Sequence, residues 1–401
     1  MTAEACTSMR YLSSDVTSIA PLQMSPDGTQ IAYVLQVPNL QTNENKETLY
    51  VSSVNATPSS VPISLLTDQL ITASHWFPDN KTLAVMTRRD GRIVLEQIDS
   101  ATKKESLIWA ADGDITDYSM NATGDVIAIA VRDNNHVPSR VQSVGREQRD
   151  ESKGYRLDQE STDHSDSPRR NIYIVRLIDG HRWTLARQVE FRSPLTQKVI
   201  KDVEDNHALH ISLSPNGRYL LIDDFESFSE ILTPVAWDRS PLVRYMRTSG
   251  FKGPVVSYLY DIHTGSATIP LDSPYVSSGL WAPDSKSFIK IAAAPAGSKW
   301  EAADFPSGTA SNHLTHMFSV DVATGAIGEV LHRAETVPLA WKKDGEVVLR
   351  NSSEVLVELK EENGSWRQLS TKRIPFPDSA RYSAISSDGN HVVMEYENTA
   401  L

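Results

Sequence analysis

One short pattern of apolar and polar positions recurs along the chain. An apolar or aromatic residue precedes Ser/Ala/Phe-Pro-Asp/Asn-Gly or a relative of it, and two residues later an apolar run begins. The clearest copies are Met24-Ser25-Pro26-Asp27-Gly28, leading into Ile31-Ala32-Tyr33-Val34, and Leu213-Ser214-Pro215-Asn216-Gly217, leading into Tyr219-Leu220-Leu221-Ile222. Two copies keep Trp and Pro: Trp76-Phe77-Pro78-Asp79-Asn80 before Leu83-Ala84-Val85-Met86, and Trp281-Ala282-Pro283-Asp284-Ser285 before Phe288-Ile289. Met120-Asn121-Ala122-Thr123-Gly124, Trp341-Lys342-Lys343-Asp344-Gly345 and Ile385-Ser386-Ser387-Asp388-Gly389 are degenerate copies, making seven.

The pattern predicts a hairpin. Pro presets φ for the first turn position, Asp or Asn accepts from the turn backbone, and Gly supplies a positive φ. The flanking apolar stretches then pair as antiparallel strands. The Pro-equivalent positions 26, 78, 122, 215, 283, 343 and 387 are separated by 52, 44, 93, 68, 60 and 44 residues. Steps of 44 and 52 fit one four-stranded propeller blade each. A second pattern follows several hairpins, an alternating strand that ends in an Asp/Gly-type turn. It occurs at Asn171–Leu177 before Asp179-Gly180, Val256–Asp261 before Thr264-Gly265, Met317–Asp321 before Thr324-Gly325 and Val355–Leu359 before Asn363-Gly364. These read as third strands, and almost no window has helical periodicity. The expected fold is all-β, a seven-bladed β-propeller of four-stranded antiparallel blades spanning residues 21–401, after a lead-in segment at 1–20.

The repeat is interrupted in three places. A polar insertion at about 132–170 carries Arg140, Arg146, Glu147, Arg149, Asp150, Glu151, Lys153 and Arg156, with room for a short helix around Ser143–Tyr155. It is either a solvated excursion or a lid over the working face. A second excursion, Phe225–Pro254, mixes Trp237, Tyr245 and Phe251 with Arg239, Arg244 and Arg247. That composition suits a peptide-binding surface and equally an irregular strand packed on its neighbour. The third break is at the end, where the seventh hairpin supplies only two strands before Leu401, so the last blade is expected to be incomplete in this chain and completed elsewhere.

Composition narrows the function. With 40% hydrophobic and 22% charged residues, the chain is ordinary for a folded protein. A formal charge of −12 argues against general nucleic-acid binding, which needs a basic face. No apolar run is long enough to span a bilayer. The single Cys6 excludes intrachain disulfides and a cysteine-based metal site. There is no Gly-x-Ser-x-Gly elbow, His-Glu-x-x-His, glycine-rich phosphate loop or calcium loop. His207 and His210 lack a nearby third ligand, and Asp223-Asp224 and Asp202/Glu204/Asp205 are acidic clusters that could bind a cation but read better as solvated loop carboxylates. The reading is therefore no catalytic residue, no cofactor and no metal within this chain.

The Ser-Pro-Asp-Gly hairpins, the Trp-x-Pro-Asp variants and the closing Ser386-Ser387-Asp388-Gly389…Glu395-Tyr396-Glu397-Asn398 resemble the N-terminal propeller of prolyl-oligopeptidase-family serine peptidases. Asp15-Val16-Thr17-Ser18-Ile19 with Leu22–Gly28, and Arg146-Glu147-Gln148…Gly154-Tyr155-Arg156-Leu157-Asp158 with Ser167-Pro168-Arg169-Arg170, are similar to the lasso peptide isopeptidases of that family. The acidic loop at Glu160–Asp166 departs from their pattern. The resemblance implies an α/β-hydrolase domain with Ser-Asp-His after residue 401, a peptide substrate (a lasso peptide), and a propeller that gates and binds it. Arg149 and Tyr155 are the substrate-contact candidates. A bacterial periplasmic location is implied if a signal peptide precedes the chain, and a cytoplasmic one otherwise. The alternative is a stand-alone Tol-like propeller that binds a protein or envelope ligand without catalysis.

Overall fold

The computed structural model describes residues 11–12, 22–39, 44–55, 61–68, 70–132, 170–189, 210–225, 235–251, 253–308, 314–332, 336–351, 355–373, 380–386, 389 and 391–396. They form one five-stranded, five four-stranded and one two-stranded antiparallel sheet, each built from strands consecutive in sequence. This is the β-propeller that the repeat predicts. Blade 2 shows the plan: Ile71–Trp76, Thr82–Arg89, Arg92–Asp99 and Glu105–Ala110 pair in sequence order from the axis outward. Blade 3 comprises Asp114–Met120, Val126–Arg132, Arg170–Ile178 and Arg182–Val189; blade 4, His210–Leu213, Tyr219–Phe225, Val255–Asp261 and Ser266–Thr268. Blade 5 comprises Val276–Trp281, Ser287–Ala293, Thr315–Asp321 and Ile327–Leu331; blade 6, Thr336–Trp341, Glu346–Asn351, Val355–Glu362 and Ser365–Arg373. The stretches read as third strands all occupy third positions.

Blade 1 differs at its inner edge. Leu22–Met24 and Tyr11–Leu12 both pair with Gln30–Asn39, at Ile31–Tyr33 and Leu35–Gln36 respectively. Part of the lead-in thus lengthens blade 1. Blade 7 has two strands among the described residues, Ala380–Ile385 and Val392–Tyr396. Its first strand lies against the inner strands of blades 6 and 1, so the ring is closed around the axis.

The core consists of the seams between blades. In the second strand of blade 3 every residue from Val126 to Val131 is buried. Val126, Ala128 and Ala130 pack against blade 4, whereas Ile127, Ile129 and Val131 pack against blade 2. Alternation puts successive side chains on opposite faces, and here both faces are covered, which is why the strand reads as a continuous apolar run. The inner pairs of blades 2, 3, 5, 6 and 7 each carry a register shift near the start of the first strand, a repeated bulge that adds twist where the strands converge on the axis.

Several neighbouring hairpin turns are linked to one another. At the Gly-equivalent position φ is positive in all seven copies, including Asn80 (59°) and Ser285 (62°). These two non-glycine residues belong to the Trp-x-Pro-Asp variants, and their side chains have a use. Asn80 Oδ1 accepts from the Asp27 N–H of blade 1 at 2.9 Å, and Ser285 Oγ accepts from the Asn216 N–H of blade 4 at 2.9 Å. The tryptophans opening the same variants also reach back one blade. Trp76 Nε1 donates to Gln23 O at 3.4 Å and Trp281 Nε1 to Ser212 O at 3.1 Å. The variant is therefore a clasp onto the preceding blade. In blade 3, where glycine is kept, the turn packs closely instead: a Cβ on Gly124 would lie 2.8 Å from Pro78 Cδ of the preceding turn.

Candidate functional site

The two ends of the ring are unequal. Hairpin turns and the turns between third and fourth strands occupy one face. The connections between second and third strands leave from the other. There, blades 2 and 6 use only Asp90-Gly91 and residues 352–354, but blades 3, 4 and 5 carry residues 133–169, 226–254 and 294–314. In three successive blades the long connections thus leave from and return to the same face. The blade 3 excursion begins and ends at a paired position, Arg132 opposite Arg170. Arg149 and Tyr155 lie within it and outside the described residues; His207 and Asp202/Glu204/Asp205, between blades 3 and 4 in sequence, also lie outside the described residues.

The excursions of blades 4 and 5 form one helical shelf. The excursion Phe225–Pro254, which reads in sequence as a binding surface or an irregular strand, contains two helices, α1 (Val235–Arg239) and α2 (Pro241–Thr248). Ser240 caps α2, its Oγ accepting from Val243 N at 3.2 Å, with Pro241 in the first turn where its missing N–H goes unnoticed. The blade 5 excursion contains α3 (Lys299–Asp304), capped by Ser298, whose Oγ accepts from Glu301 N at 3.2 Å. Glu301 ties the two excursions together. One carboxylate oxygen accepts from the Ser240 hydroxyl and the other from Gly297 N at 2.7 Å. Leu242, Met246, Ala293 and Phe305 form the small core beneath. Trp237 is fully buried and donates to Asp272 Oδ1. Burial raises the Asp272 carboxyl above its ordinary range, the Trp237 hydrogen bond opposes this, and nearby Glu301 adds to the rise.

Toward the axis, a polar run crosses blades 3 to 5, buried at Asp117 and Lys290 and half-exposed at His210. Asp117 Oδ2 accepts from Ile211 N at 3.0 Å and lies 3.9 Å from His210 Nδ1. His210 is paired in register with Asp223, whose Oδ2 meets Lys290 Nζ at 2.5 Å. Asp223 is thus a strand residue bound to a protein cation; the reading of Asp223-Asp224 as solvated loop carboxylates is corrected. Both groups are removed from water, Lys290 to 4% and Asp223 to 15% side-chain exposure.

On the outer side of the shelf, four groups from three elements converge. His316, on the third strand of blade 5, is fully buried with a carboxylate at each ring nitrogen. Nε2 lies 2.7 Å from Asp304 Oδ2 at the end of α3, and Nδ1 lies 2.8 Å from Glu329 Oε1 on the fourth strand. The same Glu329 oxygen is 3.2 Å from His332 Nδ1. Burial raises the Glu329 carboxyl, but hydrogen bonds from His316 and His332 and their charges outweigh it and hold the group below its ordinary range. Asp304, His316 and His332 offer ligand atoms within 4.8 Å of one another. This grouping was missed in the sequence, where no single motif contains it.

The hairpin face has a cleft of about 560 Å³ between blades 3 and 4, lined by Arg176, Arg187, Arg218 and His263. Two of its cations are committed within the ring, Arg218 to Asp261 at 2.8 Å and Arg187 to Ile262 O at 2.7 Å.

No family model matches the chain, and no curated protein matches it in sequence. Among solved structures it is similar to oligogalacturonate lyase from Vibrio parahaemolyticus, with 10% identity and a TM-score of 0.53 over 96% of this chain and 92% of that one. It is also similar to Pyrococcus horikoshii acylaminoacyl peptidase, with 12% identity and a TM-score of 0.50 over 91% of this chain. The likeness is one of fold. The chain spans 46% of the length of that peptidase.

Proposed function

We propose that the ring is the substrate-gating and substrate-binding propeller of a prolyl-oligopeptidase-family serine peptidase. The finer reading is an isopeptidase that hydrolyses the macrocyclic isopeptide bond of lasso peptides, its Ser-Asp-His domain lying outside this chain. The observation that carries this reading is that the long second-to-third-strand connections of blades 3, 4 and 5 all leave from and return to one face, where the described parts of the latter two form a shelf locked by Glu301. Binding residues belong on loops that a rigid scaffold positions, and this face has both. The fold likeness to acylaminoacyl peptidase and the sequence resemblance support it. In such an enzyme the serine attacks the amide carbonyl, the histidine shuttles the proton, and backbone N–H groups hold the oxyanion. The propeller's part is to exclude water and folded proteins and to hold the peptide in line. Arg149 and Tyr155 of the blade 3 excursion are proposed to touch the peptide.

The test uses the natural protein that contains this chain, treated with a fluorophosphonate probe and then assayed on a threaded lasso peptide and on linear peptides. Labelling with cleavage of the threaded peptide alone is expected. Cleavage of linear peptides instead would leave an ordinary oligopeptidase. No labelling, with ligand capture by the ring, would replace the proposal with a non-catalytic Tol-like binding propeller.

A further inference from the structure

The geometry points to a divalent-cation site at the outer edge of blade 5, formed by Asp304, His316 and His332 and oriented by Glu329. Its chemical class is that of zinc: two imidazoles, one carboxylate and an open position. Glu329 supplies the supporting half of the site. Its Oε1 lies within hydrogen-bond reach of Nδ1 on both histidines, at 2.8 and 3.2 Å, which holds both rings by that nitrogen and leaves Nε2 as the ligating atom, on His316 the one that already meets Asp304. A carboxylate holding the far nitrogen of a ligating histidine is the usual outer partner of protein-bound zinc, because it sets the tautomer and raises the basicity of the ring.

The remaining distances fit. Asp304 Oδ2 and His316 Nε2 are 2.7 Å apart, and Asp304, His316 and His332 offer ligand atoms within 4.8 Å of one another. Zinc–nitrogen and zinc–oxygen bonds of about 2.0–2.2 Å place ligand atoms about 3.3–3.5 Å apart in a tetrahedron. Small side-chain adjustments therefore admit the ion in place of the direct Asp304–His316 contact, and any proton on the coordinating nitrogen is released to water. Asp304 and His316 are buried to 2% and 0% side-chain exposure, while His332 is 52% exposed. The site thus has a rigid back and an open front. Its ligands come from α3, the third strand and the residue following the fourth strand, so the ion fastens the blade 5 excursion to its own sheet. The inference does not depend on the peptidase reading, because it concerns only these side chains.

The experiment strips the 401-residue chain with a chelator and titrates it with zinc alone in competition with a chromophoric chelator. Cobalt is then substituted to read the d–d absorption of a low-coordinate site. One equivalent per chain is expected. His332→Ala, at the exposed front where folding is not at stake, and Asp304→Asn are each expected to weaken binding by about 100-fold or more, and Glu329→Gln by about 10–100-fold. His263→Ala, on the opposite face, is expected to change nothing. Absence of zinc binding at 100-fold chelator-free excess, or binding that survives His332→Ala or Asp304→Asn undiminished, would overturn the assignment.

Discussion

Replacing Lys290 by Met tests what the polar run contributes. The ammonium meets Asp223 at 2.5 Å with almost no exposure to water. At an effective dielectric of about 20, the gross attraction at that distance is about 6–7 kcal/mol. Dehydrating both ions costs several kcal/mol each, so the net contribution of the pair is close to zero. Asp223 Oδ1 has no hydrogen-bond partner among the described residues, which lowers the net further. Breaking the pair is a different matter. Lys290→Met leaves a buried carboxylate alone, and Asp223→Leu leaves a buried ammonium alone; each is expected to cost about 3–5 kcal/mol. The double variant Lys290→Met/Asp223→Leu removes both charges and is expected within about 1 kcal/mol of the parent. With an unfolding entropy of about 2.1 cal/mol/K per residue over 401 residues, 4 kcal/mol corresponds to a Tm lower by about 5 °C. Calorimetry and urea titration followed by tryptophan fluorescence read both quantities. A double variant whose loss equals the sum of the singles would refute the reasoning, since uncoupled losses mean that the pair is not a pair.

Three other outcomes follow from the geometry. Ser285→Ala keeps a side chain at positive φ but leaves the Asn216 N–H without its acceptor, so it should destabilise by about 1–2 kcal/mol; Ser285→Gly relieves the backbone and should be nearly neutral, and the two urea midpoints decide. Burial pushes the His75 imidazole down to about 4 from 6.5. Because the fold favours the neutral ring, its full contribution is present above pH 6.5 and about 3 kcal/mol is lost as pH falls to 4; a stability–pH curve over that window should flatten in His75→Gln, and an unchanged slope would discard the assignment. Glu301→Ala strips acceptors from the Ser240 hydroxyl and Gly297 N and should cost about 2–4 kcal/mol, with proteolysis appearing first between residues 294 and 314; cleavage elsewhere first would contradict the shelf.

The repeat was legible because its turn is set by local chemistry. A Pro, an Asp and a residue at positive φ specify a hairpin within five positions, and strand alternation does the rest. Even the departures were readable in kind: Asn80 and Ser285, standing where other copies have glycine, mark the blades that clasp their predecessors. The shelf was less legible. Helices of five to eight residues are shorter than the window in which periodicity emerges, although Ser240-Pro241 and Ser298-x-x-Glu301 are local capping signals that could have announced them. The polar clusters were not legible at all. Lys290 and Asp223 stand 67 positions apart, and the group around His316 draws on a helix and two strands, so only the folded sheet order brings them together.

The alternation within Val126–Val131 has a mechanical consequence. One strand serves two joints at once, with even-numbered residues stiffening the hinge toward blade 4 and odd-numbered ones the hinge toward blade 2. Slackening either hinge by truncation therefore needs only a choice of parity. The opposite also holds: a guest that wedges two blades apart pulls on a strand already gripped from behind. Prying blade 3 from one neighbour therefore strains its joint with the other.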